Sequence, residues 1–531
     1  MEKKPSTPLA SNETARSGGL WRLCRMLLFF VAAFATLVAL FYAEEDFRGK
    51  MAWNNFVASR TAQGEKTDFD IHALVPAPVP DAQNFGATPF WRYVFSLTPA
   101  TGVKYGGPTN EYFQASRVSD RFEFDRDSYS GWRRARRVRL ESYATSRGRN
   151  PFQPAPESAT NNALLADEIL GATEPFEPVR KEFLEASSRP FSRFDVNYSP
   201  ENPWSILLPH LARVKMCALV LRLRCASDLA LGRVDAAFED LELTLRLADA
   251  LESERFIISG LVRNVVLEIA MQTVWEGIEA RQWSPAQLEK LQARLGQVKL
   301  LRGADLSLQS EVAAANQTMD LARRRPKLIE GLLDIRSNGQ GSSIDMPGVY
   351  QAIPSGWLYL EQLNYNRRMI KARRSAIDPV RSVVMPDAIE AAEKGVSETG
   401  AGVGDRIWRH EVLTSMMFPS LPGFFRKMAA GQAGANEAVI ACALERYHQA
   451  KGDYPESLAA LSPGLIKEIP RDVVGGEPLR YRRKNSGSYD LYSIGWNQKD
   501  DNGTVGLTPK GKDVDLAKGD WVWSVPDLHL E

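Results

Sequence analysis

From Met26 to Tyr42 the chain carries no charged residue, and Leu, Phe, Ala and Val make up most of the run. Residues 20–42 open with Leu20, close with Tyr42 and read LWRLCRMLLFFVAAFATLVALFY. A helix needs roughly 20 apolar residues to cross the hydrocarbon core of a bilayer, and this stretch supplies them. It has no polar stripe of the kind that gives a surface helix its solvent face. Lys3, Lys4, Arg16, Arg22 and Arg25 precede it, whereas Glu44, Glu45 and Asp46 follow at once. The excess of cations before the run predicts a single-pass inner-membrane protein, with its N-terminus in the cytoplasm and its bulk on the periplasmic side. Arg48, Lys50 and Arg60 on the far side reduce that asymmetry. A cleaved signal peptide is the rival reading. Phe41 stands where a cleavage motif wants a small residue, so a retained signal anchor is favoured.

Beyond the anchor the apolar spacing is mostly helical. Residues 1–19 read as a disordered cytoplasmic tail and 20–43 as the anchor. Residues 44–159 read as a juxtamembrane helix, a proline-rich arm and an aromatic-rich region. Alternate prolines at Pro76, Pro78 and Pro80 force the arm to be extended. Residues 150–160 have the composition of a linker. Leu207, Leu208, Leu211, Val214, Ala218, Leu221 and Ala226 then recur at three-and-four spacing. Gly232 interrupts the pattern, and Ala236, Ala237, Leu241, Leu245 and Ala248 resume it. This predicts a helical hairpin that resembles one tetratricopeptide unit, although no 34-residue recurrence extends it. A third helix, with Ile257, Leu261, Val265, Ile269 and Val274, is apolar on more than one face and is expected at the centre. Ser284-Pro285-Ala286-Gln287 has the residues of a capping box with proline at the first helical position. A helical core over 160–330 follows from these elements. Loops and helices are expected over 331–432, with Gly- and Ser-rich stretches at 337–348 and 396–404.

After a helix over 436–450 the pattern becomes extended. Gly452 is placed to end that helix in a left-handed turn. Strands are predicted over 479–483 and 488–493, with Asn485 and Gly487 between them as a hairpin signal. The segments GDYP, DVVGGEPLRY and YDLYSIG, in this order, resemble the C-terminal part of major pseudopilins of type II secretion. The resemblance covers roughly residues 433–505 and implies a small α+β module over 433–531. Most of the chain separates this module from the anchor and the prepilin cleavage signature is missing, so filament assembly is not implied. The resemblance also implies calcium in an acidic loop after the last strand, where Asp500, Asp501, Asn502, Asp513 and Asp515 offer hard oxygen ligands. Their spacing is not that of a helix–loop–helix calcium loop, and a solvated acidic loop is the alternative. The segments AEEDFRGKMAW, PVPDAQNF, LVRNVVLEIAMQTVWEGI and PSGWLYLEQLN resemble a group of membrane-anchored proteins of verrucomicrobial and planctomycete-type bacteria. That likeness implies a location and no particular chemistry.

Composition narrows the function classes. A net charge of +1 removes any global electrostatic argument for nucleic acid, and none is expected as a partner. The local exception is Arg133, Arg134, Arg136, Arg137 and Arg139, following Trp132. A solvated face is favoured for them over contact with anionic lipid. Cys217 and Cys225 lie in one helix, roughly 12 Å apart along its axis, too far to bridge. With Cys442 they are expected as buried small apolar residues.

No H-E-x-x-H, G-x-S-x-G, Walker A or paired Cys-x-x-Cys motif occurs. His72, His210, His410, His448 and His529 are scattered. His410 beside Glu411 is a candidate general base, with a surface helix the favoured reading. No catalytic residue is assigned. The fold class expected is mainly α: one transmembrane helix, a helical-hairpin core and a small α+β C-terminal domain. The function expected is binding or assembly in the envelope, with secretion-system proteins as partners. The rival is an envelope hydrolase with its site between the helical core and the aromatic-rich region.

Overall fold

The computed structural model describes residues 14–64, 72, 75–107, 109–124, 127–144, 162–325, 353–378, 380–397 and 403–526. The linker at 150–160, the 337–348 loop and His529 lie outside the described residues. Helix dominates. The first helix, α1 (Thr14–Ala62), starts before the apolar run and continues well past it. The run keeps its side chains exposed: Phe29 and Phe34 are each 70% accessible. The span Trp21–Ala62 is long and apolar enough to cross a membrane, as a membrane anchor or signal sequence would be.

The principal helices that follow are α2 (His210–Ala230), α3 (Val234–Ala250), α4 (Ile257–Glu279), α5 (Pro285–Leu295), α6 (Leu300–Arg324), α7 (Ser355–Ala376), α8 (Val403–Arg409), α9 (Val412–Met417) and α10 (Leu421–Lys451). The chain divides into two compact units. The first comprises Met1–Lys66, Met319–Tyr365 and Ala401–Met416; the second is Thr67–Thr318, Asn366–Gly400 and Met417–Glu531.

In the first unit the extension of α1 meets the N-terminal turn of α7. Asp46 accepts the Gly356 N–H at 2.7 Å, so a carboxylate satisfies an orphan amide at the positive end of a helix. The Trp357 indole donates to Glu45 at 2.9 Å. Residue His410, with φ +55°, joins α8 to α9. Glu361 of α7 caps α9, taking the Val412 N–H at 2.6 Å and the Thr414 N–H at 2.9 Å.

In the second unit α2 and α3 form an antiparallel hairpin turning at Gly232, whose φ of +69° suits glycine. The Cys225 thiol donates to the Ala237 backbone carbonyl at 3.1 Å, joining the two helices. α4 packs against α2, α3 and α10 and is buried along most of its length, so it is a core helix although apolar enough to span a bilayer. α5 opens with the capping box, with Ser284 and Gln287 bonded in both directions. Ahead of these helices the aromatic-rich region packs as a core: Trp91 stacks on Phe183 at 5.3 Å and meets Phe194 edge-on.

α10 ends at Gly452, whose φ of +77° carries its N–H to the His448 carbonyl at 2.7 Å. Between α7 and α8 two short strands, β1 (Ile377–Asp378) and β2 (Val383–Val384), pair antiparallel. Helix α10 packs against β4 (Tyr489–Ser493) and β7 (Trp521–Val525) of an antiparallel sheet ordered β3-β4-β7, with β3 at Arg480–Arg483. The β3–β4 register pairs Tyr481 with Leu491. A separate pair joins β5 (Val505–Leu507) to β6 (Val514–Gly519). These sheets are short and unclosed.

In the arginine run Arg136, Arg137 and Arg139 are exposed, as expected of a solvated face, but Arg133 departs from it. Arg133 is 3% exposed and grips Glu268 with Nε at 3.2 Å and Nη2 at 2.7 Å. The Trp132 N–H donates to Gln272 at 2.6 Å, the Val138 N–H donates to Glu276 at 2.8 Å, and Arg137 pairs with Glu279. The cause is a polar stripe on α4. Glu268, Gln272, Glu276 and Glu279 share one face, and the segment beginning at Trp132 lies along it.

Candidate ligand pocket

A cavity of about 590 Å³ opens in the second unit between α3, α5 and the loop at residues 187–192. Such a volume suits a small ligand. Glu239, Glu242, Arg246 and Asp249 line it from α3, following helical spacing, and Lys290 and Arg294 do so from α5. Arg263 of α4, Arg189 of the loop and Glu252, just past α3, complete the charged lining.

Every carboxylate on this wall has a cation. Glu239 pairs with Arg180 at 2.9 Å, Glu242 with Lys290 at 2.5 Å, Glu252 with Arg263 at 3.2 Å, and Asp249 with Arg294. Burial raises Asp249 above the ordinary carboxylate range, against the pull of Arg294 and Arg263. Burial likewise lowers Arg246. Arg246 holds the loop in place, donating to the carbonyls of Ser187, Arg189 and Phe191 at 3.2, 3.0 and 3.1 Å. Its guanidinium lies 4.5 Å from the Phe85 ring centroid. The deep part is cationic, with Arg246 and Arg263 buried beside Asp249; Glu239 and Glu252 are half exposed at the rim. None of these residues was singled out by sequence. The only available signal was the alternation of acid and base along one face of α3 and α5.

A second cavity, about 450 Å³, lies between the 137–141 segment and helices α2 and α4. Glu276 lines it, is 7% exposed, and is raised above its ordinary range by burial, with Arg222 opposing.

The residues named from sequence are dispersed. Asp500 accepts from the Tyr492 hydroxyl at 3.1 Å and pairs with Arg480 at 3.4 Å. Asp501 accepts from Asn497 at 2.8 Å. Asp513 and Asp515 belong to the β5–β6 hairpin, where the Asp515 carboxylate takes the Ala517 N–H and Lys518. Among the described residues no three His, Cys, Asp or Glu side chains gather as a cation site. Asp520 organises this region instead. It is fully buried and accepts the N–H groups of Asp501 at 3.2 Å and Gly503 at 2.7 Å. His410 packs against Trp357, with ring centroids 4.8 Å apart; burial and Arg48 lower its pKa. His448 packs on Tyr454. Cys217, Cys225 and Cys442 are buried free thiols, as expected, and burial pushes Cys217 and Cys442 up to about 12.

His210 forms an unforeseen cluster. Its Nε2 lies 2.6 Å from Glu254, which accepts the Ser259 hydroxyl at 2.5 Å. The carboxylate stands in the middle, whereas nucleophilic catalysis needs the imidazole against the hydroxyl. His210 and Ser259 are fully buried, and Phe194 and Phe95 stack on the imidazole. The cluster ties α2 to the start of α4. Compared with family models, curated proteins and solved structures, the chain matches none.

Proposed function

We propose that this is a single-pass envelope protein of the inner membrane that acts by binding, with its N-terminus in the cytoplasm and its bulk on the periplasmic side. The observation that carries the reading is the exposed apolar run of α1, which no part of the described residues buries. The cations before it and acids after it support the orientation. The ion-paired cavity supports binding. Its buried guanidinium groups suit a ligand's anionic group, and its acidic rim suits a cationic one. A link to secretion is the narrower form of this proposal. It is supported by the segments GDYP and YDLYSIG and by a helix packed against an antiparallel sheet.

The test is protease treatment of intact spheroplasts carrying the chain with a C-terminal tag, followed by carbonate extraction. The tag should be lost to external protease, and untreated full-length chain should stay with the carbonate-washed membrane. A tag protected in intact spheroplasts, or a chain released as soluble protein, overturns the proposal.

A hydrolase is the second reading, supported by Glu276. This raised carboxyl lines the cavity between the helical core and the N-terminal region. Should a hydrolytic activity be found, Glu276→Gln is expected to abolish it while leaving the thermal transition in place. Undiminished hydrolysis by that variant would remove the reading.

A further inference from the structure

We infer that Trp408 and Phe47 are seated in the phospholipid headgroup layer on the non-cytoplasmic face, so that the crossing of α1 with α7, together with α8, rests on the lipid surface. This stands on the reading of α1 as the membrane span. Past Tyr42 that helix rises 1.5 Å per residue, so Glu45 lies ~5 Å and Gly49 ~10 Å beyond the last apolar ring. The interfacial layer is ~5–8 Å thick on each side of the hydrocarbon. The contacts between α1 and α7 fall at this height. Asp46 holds the Gly356 N–H at 2.7 Å, and Glu45 holds the Trp357 indole at 2.9 Å.

Trp357 passes the constraint to α8, because its ring centroid lies 5.7 Å from that of Trp408. Yet Trp408 is 70% exposed, and Phe47, two residues past Glu45 on α1, is 71% exposed. Two large aromatic side chains are therefore uncovered at the depth where an amphipathic ring is most stable, its apolar body toward the acyl chains and any polar edge toward water. Lys50 and Arg409 are exposed near them in sequence, and cations there attract headgroup phosphates. Continuity with the membrane span identifies lipid as the occupant.

The test uses the full chain in phosphatidylethanolamine–phosphatidylglycerol vesicles. Cys24→Ser removes the exposed thiol, while Cys217, Cys225 and Cys442 are enclosed. Single nitroxide labels are then placed through Phe34→Cys, Phe47→Cys, Trp408→Cys and Lys451→Cys, and collision with oxygen is compared with collision with a water-soluble nickel chelate. The expected oxygen-to-nickel ratio is highest at 34, intermediate at 47 and 408, and several-fold lower at 451. In a chain that keeps its aromatic residues, brominated lipid should quench a component of tryptophan fluorescence that Trp408→Leu removes. If 34 is lipid-buried but 408 is as accessible to nickel as 451 and the quenched component survives Trp408→Leu, the inference is overturned and the anchor stands. If 34 is itself open to nickel, the anchor reading falls, and the inference with it.

Discussion

Gly49 on α1 and Gly356 on α7 meet backbone to backbone. A Cβ on Gly49 would run into the Gly356 carbonyl, and one on Gly356 would lie 2.7 Å from the Asp46 Cα. Two helices approach this closely only where neither has a side chain. The crossing allows Asp46 to reach an amide of α7 and Glu45 to reach Trp357.

Gly356→Val is expected to part the helices, at a cost of about 1–3 kcal/mol. Hydrogen exchange on the detergent-solubilised chain reads this directly. The amides of 356 and 357 should exchange faster in the variant, and unchanged protection would count against the crossing.

Arg133→Met is expected to destabilise the chain by about 3–5 kcal/mol, because it leaves the Glu268 carboxylate buried without its cation. Arg133→Met combined with Glu268→Met should recover most of that loss. Urea unfolding of both single variants and the double variant gives the coupling. Additive losses would mean that the pair is not energetically joined.

Glu437 on α10 is fully buried, and burial holds its carboxyl well above the ordinary value of 4.5, with Arg133 opposing and Asp472 and Glu268 reinforcing. The folded state therefore keeps a proton that the unfolded chain releases as pH rises above 4.5. This contribution to stability is complete below that pH and declines as pH climbs toward the raised value. Other buried acids share the sign, so the difference between wild type and Glu437→Gln is the informative quantity. The variant should lose less melting temperature than wild type between pH 4 and pH 8. Parallel profiles would show that Glu437 titrates normally.

Glu361→Ala is expected to cost about 1–3 kcal/mol for each buried N–H it strands at the start of α9. Burial also pushes this carboxyl up to about 7. Faster exchange at the amides of 412 and 414, with little change in α2–α4, would identify the cap as the cause. Exchange unchanged at both would show that another group holds them.

What could be read along the chain was local. The Gly232 turn, the Ser284–Gln287 capping box, the Gly452 stop and the β3–β4 hairpin each depend on residues a few positions apart. The apolar run at residues 20–42 was legible for the same reason. Arg133 alone of the arginine run was not legible as buried, because its partner lies far off on α4, a carboxylate at position 268. Asp500 and Asp501 are adjacent in one loop, bonded to Tyr492 and Asn497, and Asp515 lies on β6 and takes the Ala517 N–H, partners that no spacing along the chain states.

The order of residues by itself determined where helices start and stop and which segment is apolar enough for lipid, because propensity, capping and hydrophobic period act over one or two turns. Only the tertiary structure decided that the stripe on α4 would receive a buried arginine, that charged faces of α3 and α5 would line a cavity, and that Gly49 would meet Gly356. Those outcomes require groups distant in the chain to share one desolvated place. The energy of a charge or a close contact depends on what surrounds it after folding, which no local pattern states.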